Sequence, residues 1–197
     1  MVVLESEYEK RRALPRHLRE PQPTSPAFGF TIRPATEEDL PHTLALYRHW
    51  VRNSVVTFDE TPPSLRTYRS RFRHYQKHGF PYLVAQSPGG DILGFAQVQP
   101  FRQKSAFRKT VESSIYLGPA TTGKGLGTAL LEALIDACEQ AGIREMIAVI
   151  ADQGAEASLA LHKKFGFVES GQMHKVGYKF ERWIGIILMQ KSLTTKK

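Results

Sequence analysis

The chain has 197 residues, 41% of them hydrophobic, with a formal net charge of +8. That length and apolar fraction support one well-buried core, and the charge favours anionic partners such as nucleotides, carboxylates, nucleic acid or acidic membrane surfaces without choosing among them. A single cysteine, Cys138, excludes an intramolecular disulfide framework and a thiolate metal cluster, and no apolar run approaches the roughly 20 residues of a membrane span.

Residues 1–27 mix charges and then turn proline-rich at Pro15, Pro21, Pro23 and Pro26, so they read as an N-terminal extension. Glu5, Glu7 and Glu9 and the lack of an apolar stretch argue against a secretory or transit signal, and a cytoplasmic protein is expected. The main domain is expected over 28–193, with a tail at 194–197. It opens with a short strand over 30–33. Thr36 then offers an N-cap with Asp39 three residues on, and Leu40, Leu44 and Tyr47 repeat at helical spacing, predicting a helix over 37–50.

A second helix follows over 64–77. Its Leu65, Tyr68, Phe72 and Tyr75 recur at core intervals, and Arg66, Arg69, Arg71, Arg73 and Lys77 form a basic outer face. Interleaved aromatic and basic residues also suit a nucleic-acid surface, but aromatics at core spacing argue against that use and no nucleic-acid partner is expected. Two β-prone runs, 82–86 and 92–98, flank Pro88-Gly89-Gly90-Asp91, which is hairpin chemistry. Another strand is predicted over 111–117. After it come a glycine turn and a helix with Leu126, Ala129, Leu130, Ala133, Leu134 and Ala137 on one side. A strand over 146–150, a helix over 155–165 stopped by Gly166, and strands over 172–176 and 183–190 complete the chain. The interspersed elements imply an α/β mixed sheet with helices on both faces.

Within the turn, Thr122, Gly123, Lys124, Gly125, Leu126, Gly127 and Thr128 lead directly into the helix. Unpaired N–H groups and the positive dipole end converge at a helix start, and glycines let a phosphate approach the backbone. A tight chain reversal is the alternative use of the same residues. Neither known phosphate motif fits: the lysine falls between glycines, unlike a P-loop, and Gly-x-Gly-x-Gly is not the dinucleotide fingerprint. On the preceding strand, alternation puts Glu112, Ser114 and Tyr116 on one, more polar face. A carboxylate there is either a solvated side chain or a base able to deprotonate an amine.

The run from Ile115 to Leu131 resembles motif A of the GNAT acetyltransferases, with Thr122 replacing the usual Gln or Arg. Thr110 to Tyr116, Ala148 to Ile150, Leu161 to Phe167 and Val176 to Phe180 are similar to the phosphinothricin acetyltransferase subgroup. The resemblance implies a GNAT-like fold: a mostly antiparallel, twisted sheet splayed at the cofactor site. It also implies acetyl-CoA as co-substrate, a small amine acceptor and a homodimer. No metal is expected, because the six histidines other than His162 show no metal-ligand spacing, and His74 and His78, at i, i+4, have no acidic or cysteine neighbour to complete a site. Ile115, Tyr116 and Leu117 would pair with the thioester and pantetheine arm, and residues 122–128 with the phosphates. Glu112 would be the general base.

His162, where many relatives have tyrosine, would donate to the sulfur or help remove the amine proton; packing is its other reading. Phe58, Arg102, Lys104, Phe107 and Tyr116 would surround the acceptor, with Lys104 and Phe107 standing where the family commonly has Arg and Tyr. Ala155 replaces an asparagine that helps hold the coenzyme arm. Phosphinothricin, methionine sulfoximine or methionine sulfone are the expected acceptors; another amine, such as a polyamine, an antibiotic or a protein N-terminus, is the alternative.

Overall fold

The computed structural model describes residues 29–194, so the extension expected over 1–27 and residues 195–197 of the tail lie outside the described residues. Seven strands and four α-helices follow in the order β1 (Thr31–Pro34), α1 (Leu40–Asn53), α2 (Leu65–Lys77), β2 (Tyr82–Gln86), β3 (Ile92–Pro100), β4 (Thr110–Leu117), α3 (Leu126–Gln140), β5 (Glu145–Ala151), α4 (Glu156–Lys164), β6 (Val168–Lys179) and β7 (Arg182–Ser192). They form one sheet in the order β1-β2-β3-β4-β5-β7-β6. Every neighbouring pair is antiparallel except β4 with β5, which α3 connects.

Strand alternation divides the core into two layers. Leu83 and Ala85 of β2 and Ala96 and Val98 of β3 pack with Leu126, Leu130, Leu131 and Leu134 of α3, and Leu159, Leu161 and Phe165 of α4 join them. Tyr82, Val84 and Phe95 point the other way, onto Leu40 and Leu44 of α1 and Tyr68 and Phe72 of α2. The mixed sheet covered on both faces is therefore as expected. Leu130 is fully buried at the centre of the first layer, and Leu130→Ala is expected to cost about 3 kcal/mol through lost burial and a residual cavity. Urea unfolding of the two proteins measures it.

Helix starts follow local chemistry. The Ser64 hydroxyl accepts the Thr67 N–H at 3.2 Å and caps α2. Ahead of α1, the first turn is a 3-10 turn, Glu37–Asp39. There the Asp39 carboxylate accepts the Thr36 N–H at 2.8 Å and pairs with Arg33 at 2.7 Å, which holds its carboxyl at about 2. The last two strands run longer than the periodicity suggests. Register shifts between Glu169 and Gly171 and between Met173 and Gly177 break the period of two that marks a strand.

One consequence of the topology creates the site. β4 and β5 pair only from Thr110↔Glu145 to Ser113↔Ala148, and beyond those residues the two strands part. Backbone groups on the facing edges past that point have no strand to pair with.

Candidate active site

A cleft of about 250 Å³ occupies the gap between β4 and β5. Ile115, Tyr116 and Leu117 line one wall and Val149 and Ile150 the other. Trp50 of α1 crosses the opening, its indole N–H donating to the Leu117 carbonyl at 2.8 Å.

The glycine turn closes one end. Gly125 precedes α3 with φ 81°, and no side chain caps the helix. Gly123 is also left-handed, at φ 75°, and nothing lies within 4 Å of where a Cβ would stand at either glycine. Backbone conformation, not crowding, therefore requires glycine here, and the first N–H groups of α3 remain uncapped for an anion. Thr122 and Gly127 line the cleft. The Thr122 hydroxyl donates to the Pro119 carbonyl at 3.1 Å, so its hydrogen serves the turn. The side chain of Leu126 is fully buried in the core, leaving only its backbone to face a ligand. Lys124 lies within the turn and is exposed, and Thr128 follows in the first turn of α3.

His162 of α4 lines the same cleft and is 5% exposed. Its Nδ1 stands 2.8 Å from the Ser158 carbonyl. A carbonyl only accepts, so Nδ1 carries hydrogen and Nε2 holds the lone pair of the neutral ring. Burial pushes its pKa below the ordinary value, against a smaller upward influence from the Ser158 carbonyl. The ring also meets Phe167 edge-on at 4.9 Å. Ala155, at the N-terminal edge of α4, offers no polar side chain to the cleft it lines.

On the opposite face of β4 lies a second cavity, of about 240 Å³. Glu112, Ser114 and Tyr116 face it, as alternation along the strand predicts. Glu112 Oε1 accepts from Gln99 Nε2 at 3.2 Å, and the Tyr75 hydroxyl donates in turn to Gln99 Oε1 at 3.4 Å. Burial raises the Glu112 pKa above its ordinary value, partly offset by the Gln99 hydrogen bond and the positive Arg102. A carboxylate with raised pKa is a stronger base. The far wall comes from the loop after α1: Thr57, Phe58 and Asp59. Here the Tyr47 hydroxyl donates to Asp59 Oδ2 at 2.6 Å and lies 3.1 Å from Thr57 Oγ1. Burial pushes the Tyr116 phenol up to about 12, so it stays protonated at neutral pH.

The two cavities meet: Val56, Ser113, Ser114, Tyr116 and Val149 line both. Glu112 and His162 thus stand on opposite sides of a shared throat. Arg102, Lys104 and Phe107 do not line the cavity that holds Glu112. They line a broader adjoining groove, which shares Arg71, Tyr75 and Gln99 with it. In that groove Arg102 lies over the Phe101 ring at 4.9 Å, and Phe107 packs edge-on against Phe101 at 5.9 Å. Among the described residues no carboxylate lines the groove.

Arg71, which the sequence pattern places on the outer basic face of α2, lines the cavity that holds Glu112. Its position was legible, because it falls three residues after Tyr68 and one before Phe72, beside the buried stripe. Tyr47, Asp59 and Gln99 carried no motif. Among the described residues no group of three or more His, Cys, Asp or Glu side chains can hold a metal, and no helix is long and apolar enough to cross a membrane.

Comparison with known proteins agrees with this geometry. The acetyltransferase (GNAT) domain family matches residues 32–188. The phosphinothricin N-acetyltransferase of Alcaligenes faecalis is 42% identical over 83% of this chain and 82% of its own. An L-methionine sulfoximine/L-methionine sulfone acetyltransferase of Pseudomonas paraeruginosa is 41% identical over 83% of this chain and 94% of its own. The crystal structure of a GNAT superfamily phosphinothricin acetyltransferase from Sinorhizobium meliloti, in complex with acetyl-CoA, superimposes with a TM-score of 0.80 at 42% identity, covering 85% of this chain and 92% of that one. Two joined cavities on either side of a parted strand, a glycine turn at a helix start and these relatives lead to one conclusion: the chain belongs to the GNAT family of acetyltransferases.

Proposed function

We propose that this enzyme transfers an acetyl group directly from acetyl-CoA to the primary amine of an amino-acid-like acceptor of the phosphinothricin, methionine sulfoximine or methionine sulfone type, with Glu112 as general base. The observation that carries this reading is the position of Glu112, a half-buried carboxylate one residue from the throat where the two cavities join. Acetyl-CoA supplies the acetyl group as an activated thioester. Its phosphates suit the uncapped start of α3, and its acyl arm suits the open edge of β4.

Glu112 removes a proton from the acceptor ammonium, directly or through water, and frees the nitrogen lone pair. As the new N–C bond forms and the C–S bond breaks, backbone N–H groups of 115–117 stabilise charge on the carbonyl oxygen. The nitrogen sheds its second proton as the amide forms, and the sulfur, leaving as thiolate, takes that proton up. His162 is neutral at physiological pH with Nε2 free, which suits accepting or relaying a proton better than donating one. Holding both reactants at the throat makes the step effectively unimolecular.

The basic groove favours an anionic acceptor. Arg71, Arg102 and Lys104 form no ion pair among the described residues, so all three are available for a carboxylate or phosphinate. A polycationic acceptor would be repelled. The test is an acceptor panel with acetyl-CoA: phosphinothricin and methionine sulfone are expected to exceed spermidine and a neutral N-terminal peptide in kcat/KM by about 100-fold or more, on the scale of a few kcal/mol of charge complementarity. Equal or reversed preference overturns this assignment.

Because burial raises the Glu112 pKa, kcat/KM is expected to fall with decreasing pH through a midpoint above the ordinary glutamate range. Gln99→Leu removes the largest influence holding that pKa down, so the acid limb moves further toward neutral pH. A limb that moves toward lower pH contradicts the assignment.

We also propose a cytoplasmic homodimer. β6 is one of the sheet's two edge strands, and its hairpin with β7 exposes Val168, Val176, Tyr178, Phe180 and Trp183. Clustered apolar residues on an open edge suit a second copy of this chain. Sedimentation of the full chain is expected to give twice the monomer mass, and Trp183→Asp to shift it toward monomer.

A further inference from the structure

A lysine on the edge hairpin reaches back across the molecule to the acceptor cavity. Lys179 closes β6, is 3% exposed and contributes to neither catalytic role described above. Its Nζ donates to the Ser54 carbonyl at 2.8 Å and to the Thr57 carbonyl at 2.7 Å, contacts 125 and 122 residues away in sequence. The ammonium also lies 5.0 Å from the centroid of the Phe180 ring, and Asp59 and Glu60 are its acidic neighbours. Burial pulls the Lys179 pKa below its ordinary value, and the charges of Asp59 and Glu60 offset part of that cost while two carbonyls accept its protons.

What it binds is the loop that walls the acceptor cavity. Val56, Thr57, Phe58 and Asp59 line that cavity, and the two carbonyls bound by Lys179 lie within and just before this stretch. Few other hydrogen bonds anchor the loop: the Ser54 N–H to the Trp50 carbonyl, Tyr47 with Thr57 and Asp59, and short contacts from Val56 N–H to Ser54 and from Asp59 N–H to Thr57. A second contact with the hairpin is steric. A Cβ added at Gly177 would overlap two ring atoms of Phe58, so this glycine leaves the room the Phe58 ring occupies. Gly177 and Lys179, two residues apart on β6, thus seat Phe58 and clamp its neighbours.

We infer that Lys179, with Gly177, is a positioning residue for the acceptor: it fixes the 54–59 loop and thereby the shape of the acceptor cavity, without touching either substrate. The inference rests on the acceptor reading proposed above, since it assigns that cavity to the amine substrate. Through the same contacts the edge hairpin is mechanically joined to the cavity.

The test compares Lys179→Met and Gly177→Ala with the unaltered full-length enzyme in steady-state assays, using acetyl-CoA with phosphinothricin and with methionine sulfone. Both variants are expected to raise acceptor KM by about 10-fold or more, the scale of one lost charge-assisted hydrogen bond. The KM for acetyl-CoA stays within about twofold, because neither residue lines the coenzyme cleft and the clamped loop gives that cleft only Val56, whereas it gives the acceptor cavity Val56, Thr57, Phe58 and Asp59. The ratio of kcat/KM between the two acceptors also changes, which a uniform loss of folded protein would not produce. Gly177→Ala keeps the ammonium and its hydrogen bonds, so it stands as the readout should Lys179→Met fold poorly. Unchanged acceptor KM in a folded variant overturns the inference, as does a parallel rise in both KM values. If the unaltered enzyme acetylates neither acceptor, the proposed function fails instead, and the two failures are distinguishable.

Discussion

Glu112→Gln is expected to lower kcat by roughly 10²–10⁴-fold, the usual contribution of a positioned general base. The amide keeps the size of the side chain and can still accept from Gln99, so the cavity holds its shape. The KM for acetyl-CoA is expected to stay near its original value, because Glu112 does not line the coenzyme cleft. Stability gives an independent check. The Glu112 pKa is raised in the folded protein, so the folded state binds the proton more tightly than the unfolded chain does, and the ionised carboxylate opposes folding at neutral pH. The neutral glutamine removes that penalty, and the melting temperature is expected to hold or rise. A variant that is both stable and nearly inactive isolates chemistry from folding. Full turnover at saturating substrates would move the base elsewhere.

Gly125→Val is expected to act on the other substrate. A β-branched residue is poorly accommodated at φ 81°, and relieving the strain turns the N–H groups at the start of α3 away from their common focus. Losing one hydrogen bond to a charged phosphate weakens binding by about 1.5–3 kcal/mol, so the KM for acetyl-CoA should rise by about 10-fold or more, with kcat at saturation little changed. Gly127→Ala separates backbone conformation from packing. Its Cβ would lie 3.5 Å from Leu117 and from Leu161, which is ordinary contact, so the helix tolerates it and any loss reports on phosphate approach alone.

Much of this fold was legible in the chain because its core elements obey one period each. β2 appears over the residues expected, and Leu126, Leu130 and Leu134 mark the buried stripe of α3 without ambiguity. Where two physical signals overlap, reading fails. The bulges in β6 hide its length, and its outward residues have no burial pattern to betray them. The same contrast holds in the site. The glycines of the turn and the polar face of β4 are local features, and both could be read from spacing. The contributions of Arg71, Gln99 and Asp59 to the cavity depend on which elements fold against one another. Lys179 is the extreme case, since a lysine at the end of an exposed strand carries no local sign that its ammonium closes a loop more than a hundred residues earlier. The family resemblance supplied the reaction class, whereas the chain's departures, Thr122 and Ala155, became interpretable only with the cleft in view. Both border it, and neither leaves a buried polar side-chain atom without a partner among the described residues.

In the proposed reaction two substrates meet at the throat between Glu112 and His162, and the acetyl group passes between them without stopping on the protein. Initial rates measured against acetyl-CoA at several fixed concentrations of methionine sulfone distinguish this route from one through an acetylated enzyme. Direct transfer within a ternary complex predicts intersecting reciprocal plots, and protein incubated with acetyl-CoA alone keeps its intact mass. Parallel plots, together with a protein that gains one acetyl group before any acceptor is added, would establish an acetyl-enzyme intermediate and rule out direct transfer.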